Sequence, residues 1–164
     1  MSDLHCETIT FPSSDGRHTS SAVLYTMPDK PVRAVIQLSH GMCEYVRRYA
    51  PMAEFYAAHG IALAGNDHLG HGDTAKAGEH GHYGEPDGRL HLLNDLHTMN
   101  GLLHERFPDT PIYVQSITPT TQEYGEKKPQ LEREHLKLIN NAIAKLAVSK
   151  GLYYVDLWEV MADE

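Results

Sequence analysis

Basic residues are in short supply: 14 Lys and Arg stand against 22 Asp and Glu, for a formal charge of −8. They gather into no stripe, so neither nucleic acid nor an anionic membrane is expected as a partner, because both require clustered positive charge. Cysteine is nearly absent. Cys6 and Cys43 build no disulfide framework, and two free thiols in a reducing cytosol are the expectation. No apolar run approaches the roughly 20 residues of a membrane span, and no leader with an apolar centre opens the chain. These absences predict a cytoplasmic protein. Internal repeats and low-complexity segments are also missing. The Gly-rich stretches contain neither Gly-x-Gly-x-x-Gly nor a Walker pattern, so they are not read as phosphate cradles, and no cofactor is expected. What is present is ordinary for a globular chain: 164 residues, 41% apolar and 22% charged, suited to one domain with a sizeable core.

Short β-branched runs alternate with helical periodicity. Strands are expected over residues 4–11 and 18–26, joined by the Pro12-Ser13-Ser14-Asp15-Gly16 turn into an antiparallel hairpin. A third strand is expected over 33–39 and a fourth over 61–65. Between them a helix at 47–59 carries Tyr49, Met52, Ala53, Tyr56 and Ala57 on one face, with Pro51 in its first turn and Gly60 closing it. A Gly- and His-rich loop fills 66–88. A second helix at 89–107 has Leu92, Leu93, Leu96, Met99, Leu103 and Phe107 as its core stripe. Strands at 112–117 and 152–158 flank a third helix at 131–149, striped by Leu131, Leu138, Ile139, Ala142, Ile143 and Leu146. Alternation of this kind predicts an α/β fold, a three-layer α/β/α sandwich around a mostly parallel sheet of about six strands.

Two stretches carry chemistry: His40-Gly41-Met42-x-Glu44 with Arg48-Tyr49, and Asp67-His68-x-Gly70-His71-Gly72-x-Thr74. With these motifs, residues 1–114 resemble the N-terminal half of an α/β-hydrolase of the monoacylglycerol lipase and lysophospholipase type, which usually has Ser at the last position. The resemblance implies the strand order 1-2-4-3-5-6 with strand 2 antiparallel. It also implies that the Met42 N–H donates to the oxyanion of the transition state, making His40, Gly41 and Met42 an oxyanion-hole relic. The family then needs Gly-x-Ser-x-Gly on a tight elbow. Here Pro111-Ile112-Tyr113-Val114 matches the strand, but Gln115-Ser116-Ile117-Thr118-Pro119 follows, and Gly-x-Ser-x-Gly occurs nowhere. Tyr113-Val114-Gln115-Ser116-Ile117-Thr118-Pro119-Thr120, Ile139-Asn140-Asn141-Ala142-Ile143 and Gly151-Leu152-Tyr153-Tyr154-Val155-Asp156-Leu157 instead make residues 113–164 resemble the C-terminal part of an SGNH (GDSL-type) esterase. That family's Gly-Asp-Ser, Gly-x-Asn-Asp and Asp-x-x-His blocks are missing. The chain is expected to be one domain in two segments, 1–114 and 115–164, an engineered chimera, with natural recombination as the alternative.

A Ser-His-acid hydrolase needs a nucleophile, a base in reach of it and oxyanion donors. Thr118 stands where the elbow Ser would be, but Pro119 after it has no N–H to give. Ser116 has Val114 and Thr118 in place of the flanking glycines and reads as a strand-end residue. The base is also unassigned; His40, His68 and His71 lie nearest the motif loops and are structural in the family. Asp67 and Asp73 read as turn caps, and Asp156 as an acid without a base. His68-x-x-His71 and His80-x-His82 with Glu79 are read as adventitious metal contacts and not as a site. The expected function is therefore a chimeric scaffold of two ester-hydrolase fragments with no intact triad. The alternative is a weak carboxylic-ester hydrolase using Ser116, a nearby His and the Met42 amide, in which case a small-molecule ester is the partner. A third reading is a partner-binding module. An uncovered edge strand predicts a homodimer or marginal solubility.

Overall fold

A computed structural model describes residues 4–41, 44–82, 86–115, 133–156 and 158, the side chains of 115, 135, 136 and 139 excepted. The elements are β1 (His5–Pro12), β2 (Thr19–Thr26), β3 (Ala34–Leu38), α1 (Ala50–Ala58), β4 (Ile61–Asn66), α2 (Gly88–Arg106), β5 (Ile112–Gln115), α3 (Arg133–Ser149) and β6 (Tyr153–Val155). Single 3₁₀ turns at Val46–Tyr49 and Gly72–Thr74 precede α1 and follow β4. The strand order is β1-β2-β4-β3-β5-β6, as the resemblance implies. Strand β2 is antiparallel to β1 and β4, whereas β3 with β4 and β5 with β6 are parallel. The chain divides into two compact units, Met1–Thr110 and Pro111–Glu164.

In the first unit, the alternation of side chains across a strand sorts the core into two faces. Val23 and Tyr25 of β2 and Leu63 of β4 pack with Val46 and Ala53, and Leu38, Met52 and Tyr56 close that cluster. Helix α1 therefore covers this face, on the stripe its spacing predicts. The opposite face carries Val35 and Gln37 of β3 and Ala62 and Ala64 of β4. There α2 is tied down by Gln37, whose Nε2 donates to the Leu96 carbonyl at 2.8 Å and whose Oε1 accepts Asn100 Nδ2 at 2.9 Å. With a helix on each face, the first unit is a three-layer sandwich. Gly65 permits the closest approach in it. A Cβ there would stand 2.6 Å from the Leu38 carbonyl oxygen and 3.3 Å from Val46 Cγ2, so any larger residue would push the 3₁₀ turn off β4.

The stripe expected on α2 holds except at Leu93. Met99 and Leu103 are buried, but Leu93 is 46% exposed and Asp95 takes an inward position instead. Residues 95, 99 and 103 share a line at four-residue steps, and Leu93 lies two residues, about 200°, away from it. Asp95 belongs inside because the β1–β2 turn brings it three donors. Its Oδ2 accepts Ser13 Oγ at 2.6 Å and Ser20 Oγ at 3.1 Å, and its Oδ1 accepts the Ser14 N–H at 2.7 Å. A buried carboxylate is tolerable only when its lone pairs are met in this way.

In the second unit, α3 joins β5 to β6. Tyr113 and Tyr153 are register partners and stack with ring centroids 5.1 Å apart. Asn140 and Ala147 are buried, while Leu138 and Leu146 are 69% and 52% exposed and Ala142 is exposed too. The expected stripe fails here at Leu138, Ala142 and Leu146, whereas Ile143, between Asn140 and Ala147 on the inward line, is half-buried. Leu131 and the Ile139 side chain lie outside the described residues. Trp158 is buried, with Arg133 and Lys137 over its ring at 5.7 and 5.9 Å. Among the described residues, no helix is long and apolar enough to cross a membrane.

The Asp95 cluster gives a direct test of packing against patterning. Asp95→Ala strands two buried hydroxyls and an amide and should lower the unfolding free energy by about 3 kcal/mol. Thr98→Ala, on the exposed side of the same helix, should change it by less than about 0.5 kcal/mol. Urea denaturation followed by circular dichroism measures both.

Candidate functional site

Parallel pairing of β3 and β4 sets the site. Ala34 pairs with Ile61 and Leu38 with Gly65, so both strands end at the same edge, and the segments 39–41 and 67–74 leave side by side. Crevices outside the carboxyl ends of parallel strands are where α/β sheets place their ligands. Here the second segment is fastened to the 3₁₀ turn before α1 by a carboxylate. Asp67 Oδ1 accepts the Val46 N–H at 2.7 Å, and Oδ2 accepts the Asp73 N–H at 2.8 Å. Its backbone is held as well: the N–H donates to the Ser21 carbonyl at 2.8 Å, and its carbonyl accepts Thr74 Oγ1 at 2.8 Å. Thr74 Oγ1 in turn accepts the Ser21 N–H at 2.9 Å. A Ser hydroxyl in its place could make the same two bonds. Gly72 has a φ of +48°, and a Cβ on it would stand 2.0 Å from Asp67 Oδ2, so the glycine makes room for the carboxylate.

Three buried histidines fill the space beside this carboxylate. The His40 and His68 ring centroids are 4.0 Å apart, and those of His40 and His71 are 5.3 Å apart. Their partners fix their tautomers. The His68 N–H donates to His40 Nε2 at 3.0 Å, which must be bare, so the His40 proton sits on Nδ1 and donates to the Gly41 carbonyl at 2.8 Å. His68 Nε2 lies 3.1 Å from the His40 carbonyl and therefore carries the proton. His71 Nδ1 donates to the Leu69 carbonyl at 2.8 Å. Burial pushes the His68 pKa down to about 3, and the neighbouring His40 adds to that. Burial also lowers His40. Both rings are neutral at physiological pH.

This protonation decides what the cluster can do. Ser39 Oγ lies 3.2 Å from His68 Nε2, a distance suited to a nucleophile and its base. But Nε2 holds a proton for the His40 carbonyl, so Ser39 can only accept. A ring whose pKa is near 3 is also a feeble base at pH 7. The pair is structural.

The turn at 41–44 is closed by Glu44. Its N–H donates to the Gly41 carbonyl at 3.3 Å, and its Oε2 accepts both the Gly41 N–H at 3.0 Å and the Tyr49 hydroxyl. The Tyr49 hydrogen bond pulls the Glu44 pKa down and outweighs burial. Burial and the same carboxylate push Tyr49 up to about 12. The Glu44 carboxylate thus reaches back to the Gly41 N–H and forward to Tyr49, tying this turn to the residues that lead into α1.

Of the residues singled out from sequence, the structure brings His40, Gly41, Asp67, His68, His71 and Thr74 together. Met42, Ser116 and Thr118 lie outside the described residues. Asp67 caps turns as expected, whereas Asp73 pairs with Arg47 at 3.3 Å. Asp156 Oδ1 accepts the Trp158 N–H at 2.9 Å, a turn role. Glu79 bonds to His18, and among the described residues no group of three or more His, Cys, Asp or Glu side chains is arranged to hold a metal ion. Sequence reasoning missed Ser39 and the roles of Glu44 and Tyr49. The five-residue separation of Glu44 and Tyr49 across an approaching helix start was the available signal.

Residues 30–117 match the serine aminopeptidase S33 family. No curated protein matches the chain. Among solved structures, a thermostable carboxyl esterase from Bacillus coagulans is 30% identical over 69% of this chain and 36% of its own, with a TM-score of 0.59. A lipase in its open form is 28% identical over 68% and 36%, with a TM-score of 0.58. A soluble variant of the Saccharomyces cerevisiae monoglyceride lipase, at 17% identity and a TM-score of 0.55, shares the fold over 81% of this chain and 43% of its own. The chain thus spans well under half the length of these relatives.

The buried rings predict a pH dependence with a definite sign. His68 titrates near 3 when folded and near 6.5 when unfolded. Between those values the unfolded chain binds a proton that the folded chain does not. Stability should therefore fall as pH drops from 6.5, by about 1.4 kcal/mol per pH unit, with His40 adding in the same direction. His68→Gln keeps a donor for the His40 carbonyl without titrating, so its urea midpoint should vary less steeply between pH 6.5 and 4.5. An unchanged slope would assign the acid sensitivity elsewhere.

Proposed function

The chain belongs to the serine aminopeptidase S33 family, of α/β-hydrolase fold, and from that premise we propose that residues 1–114 are the oxyanion-side segment of an ester hydrolase, joined as a chimera to an SGNH-like segment over 115–164, without a working Ser-His-acid set. The observation that carries this reading is the state of the histidines beside the oxyanion turn. His40 and His68 commit their protons to backbone carbonyls, and His68 is too weak a base to activate a hydroxyl. Two further facts support the join. The boundary between the compact units, at Thr110 and Pro111, falls close to the point where the resemblance changes. The family match ends at residue 117.

The second reading keeps catalysis: a weak carboxylic-ester hydrolase with Ser116 as nucleophile and the Met42 amide as donor. It is favoured by the likeness to a carboxyl esterase and a lipase at 30% and 28% identity. The two readings separate in a short-chain nitrophenyl ester assay. The first expects hydrolysis no faster than in buffer. Activity that is well above buffer and disappears in Ser116→Ala, with the circular dichroism spectrum unchanged, would overturn it.

An exposed strand face fits a further role as a self-association surface. Tyr153 and Val155 of β6 are 57% and 37% exposed, and an apolar strand of this kind invites pairing with a second copy. Sedimentation should show a concentration-dependent dimer that Val155→Lys weakens. A monomer at all concentrations would rule this out.

A further inference from the structure

The β1–β2 turn and the segment after β4 meet across His18, which the hydrolase reading leaves unused. Its Nδ1 lies 2.5 Å from Asp15 Oδ2 and its Nε2 lies 2.7 Å from Glu79 Oε2. A neutral imidazole has one N–H and one lone pair. With a carboxylate on each nitrogen, a neutral ring would turn its lone pair against one of them. Only the imidazolium satisfies both contacts, each nitrogen donating. The His18 side chain is 12% exposed, and that of Glu79 is 41% exposed, so one partner is fixed and the other can leave.

The charged groups around the ring come from three elements. Asp15 and Arg17 belong to its own turn, Lys76, Glu79 and His82 to the segment after β4, and His91 to α2. Lys76 Nζ donates to the Arg17 carbonyl at 2.9 Å, a second tie between the same two segments. Within the 76–82 segment, Glu79 N–H donates to the Lys76 carbonyl and His82 N–H to the Glu79 carbonyl, and the segment is also joined to the loop after β4 by Gly81 N–H to the Gly70 carbonyl, with His82 close against Gly70. Asp15, His18, Glu79, His82 and His91 line a cavity of about 210 Å³ beneath it.

We propose that His18 is a proton-dependent latch that clamps the 76–82 segment to the β1–β2 turn by bridging Asp15 and Glu79, and that loss of its proton frees the segment and opens the cavity. The two carboxylates, Glu79 foremost, raise the His18 pKa, while burial and Lys76 oppose them. Burial alone would raise the Asp15 carboxyl, but the Arg17 and His18 amides and the His18 ring bring it down to about 2, so that partner stays charged throughout. The sign follows. The clamp is complete below the folded His18 value, as long as Glu79 stays charged, and is lost as pH rises through that value. The tie from Lys76 remains, so release is local and leaves the fold intact.

Hydrogen exchange of the 79, 81 and 82 amides, corrected for the intrinsic rate, and the ring titration of His18 by nuclear magnetic resonance test this in the full chain. The ring should titrate above the ordinary imidazole value, and amide protection should fall about fivefold or more across that same titration. In Glu79→Ala the proton affinity of His18 should drop about tenfold, and the amides should be weakly protected at every pH. In His18→Gln protection should be independent of pH. Titration of wild-type His18 at the ordinary value, or protection that does not follow it, would overturn the latch.

Discussion

The carboxylate of Asp67 receives one backbone N–H from the turn before α1 and another from the turn after β4. The rest of the site depends on that pair of bonds. A buried carboxylate with both oxygens engaged by amides is a strong, directional tie, because each bond is charge-assisted and shielded from water. Holding Val46 in place completes the cluster with Val23, Leu63 and Ala53. Holding Asp73 sets Thr74 against β2. The glycines at 65 and 72 then have one reading in common: each leaves space that another residue's packing requires.

The same enclosure determines the chemistry. Once the two loops are closed, His40, His68 and His71 are buried, and burial disfavours a charged His40 or His68 ring. His40 and His68 stay neutral, and the ring N–H groups of the three serve backbone carbonyls that the strand ends leave open. Histidine near a serine suggests catalysis, yet the contacts of His68 make it a poor base for Ser39. At a cavity that Leu69 and Gly70 also line, His18 meets carboxylates on both nitrogens, which favour its charged form for the opposite reason. One residue type thus takes two charge states in one unit, set by what faces the ring.

The strand order, the two faces of the first unit and the α1 stripe were legible because strand alternation and a resemblance to known loops agree there. The stripes of α2 and α3 were legible only in part. In both helices a polar residue, Asp95 or Asn140, holds an inward position, and periodicity counts only apolar residues. Asp95 is inside because Ser13, Ser14 and Ser20 converge on it from about 80 residues away in sequence, a separation that no window of residues spans. At the site, the motif residues were found together, but their roles rest on which atoms carry protons. That depends on a contact such as His68 N–H to His40 Nε2, which spacing alone cannot supply.

The central claim is that the His40 and His68 imidazoles beside the 41–44 turn are neutral, fixed in tautomer and structural. ¹⁵N chemical shifts of the histidine side chains, followed from pH 5 to 8, test it most directly. The account predicts a proton on Nδ1 of His40 and on Nε2 of His68, with His68 unchanged across the range. A bare Nε2 on His68, or its titration near neutrality, would make Ser39 and His68 a competent pair and contradict the account.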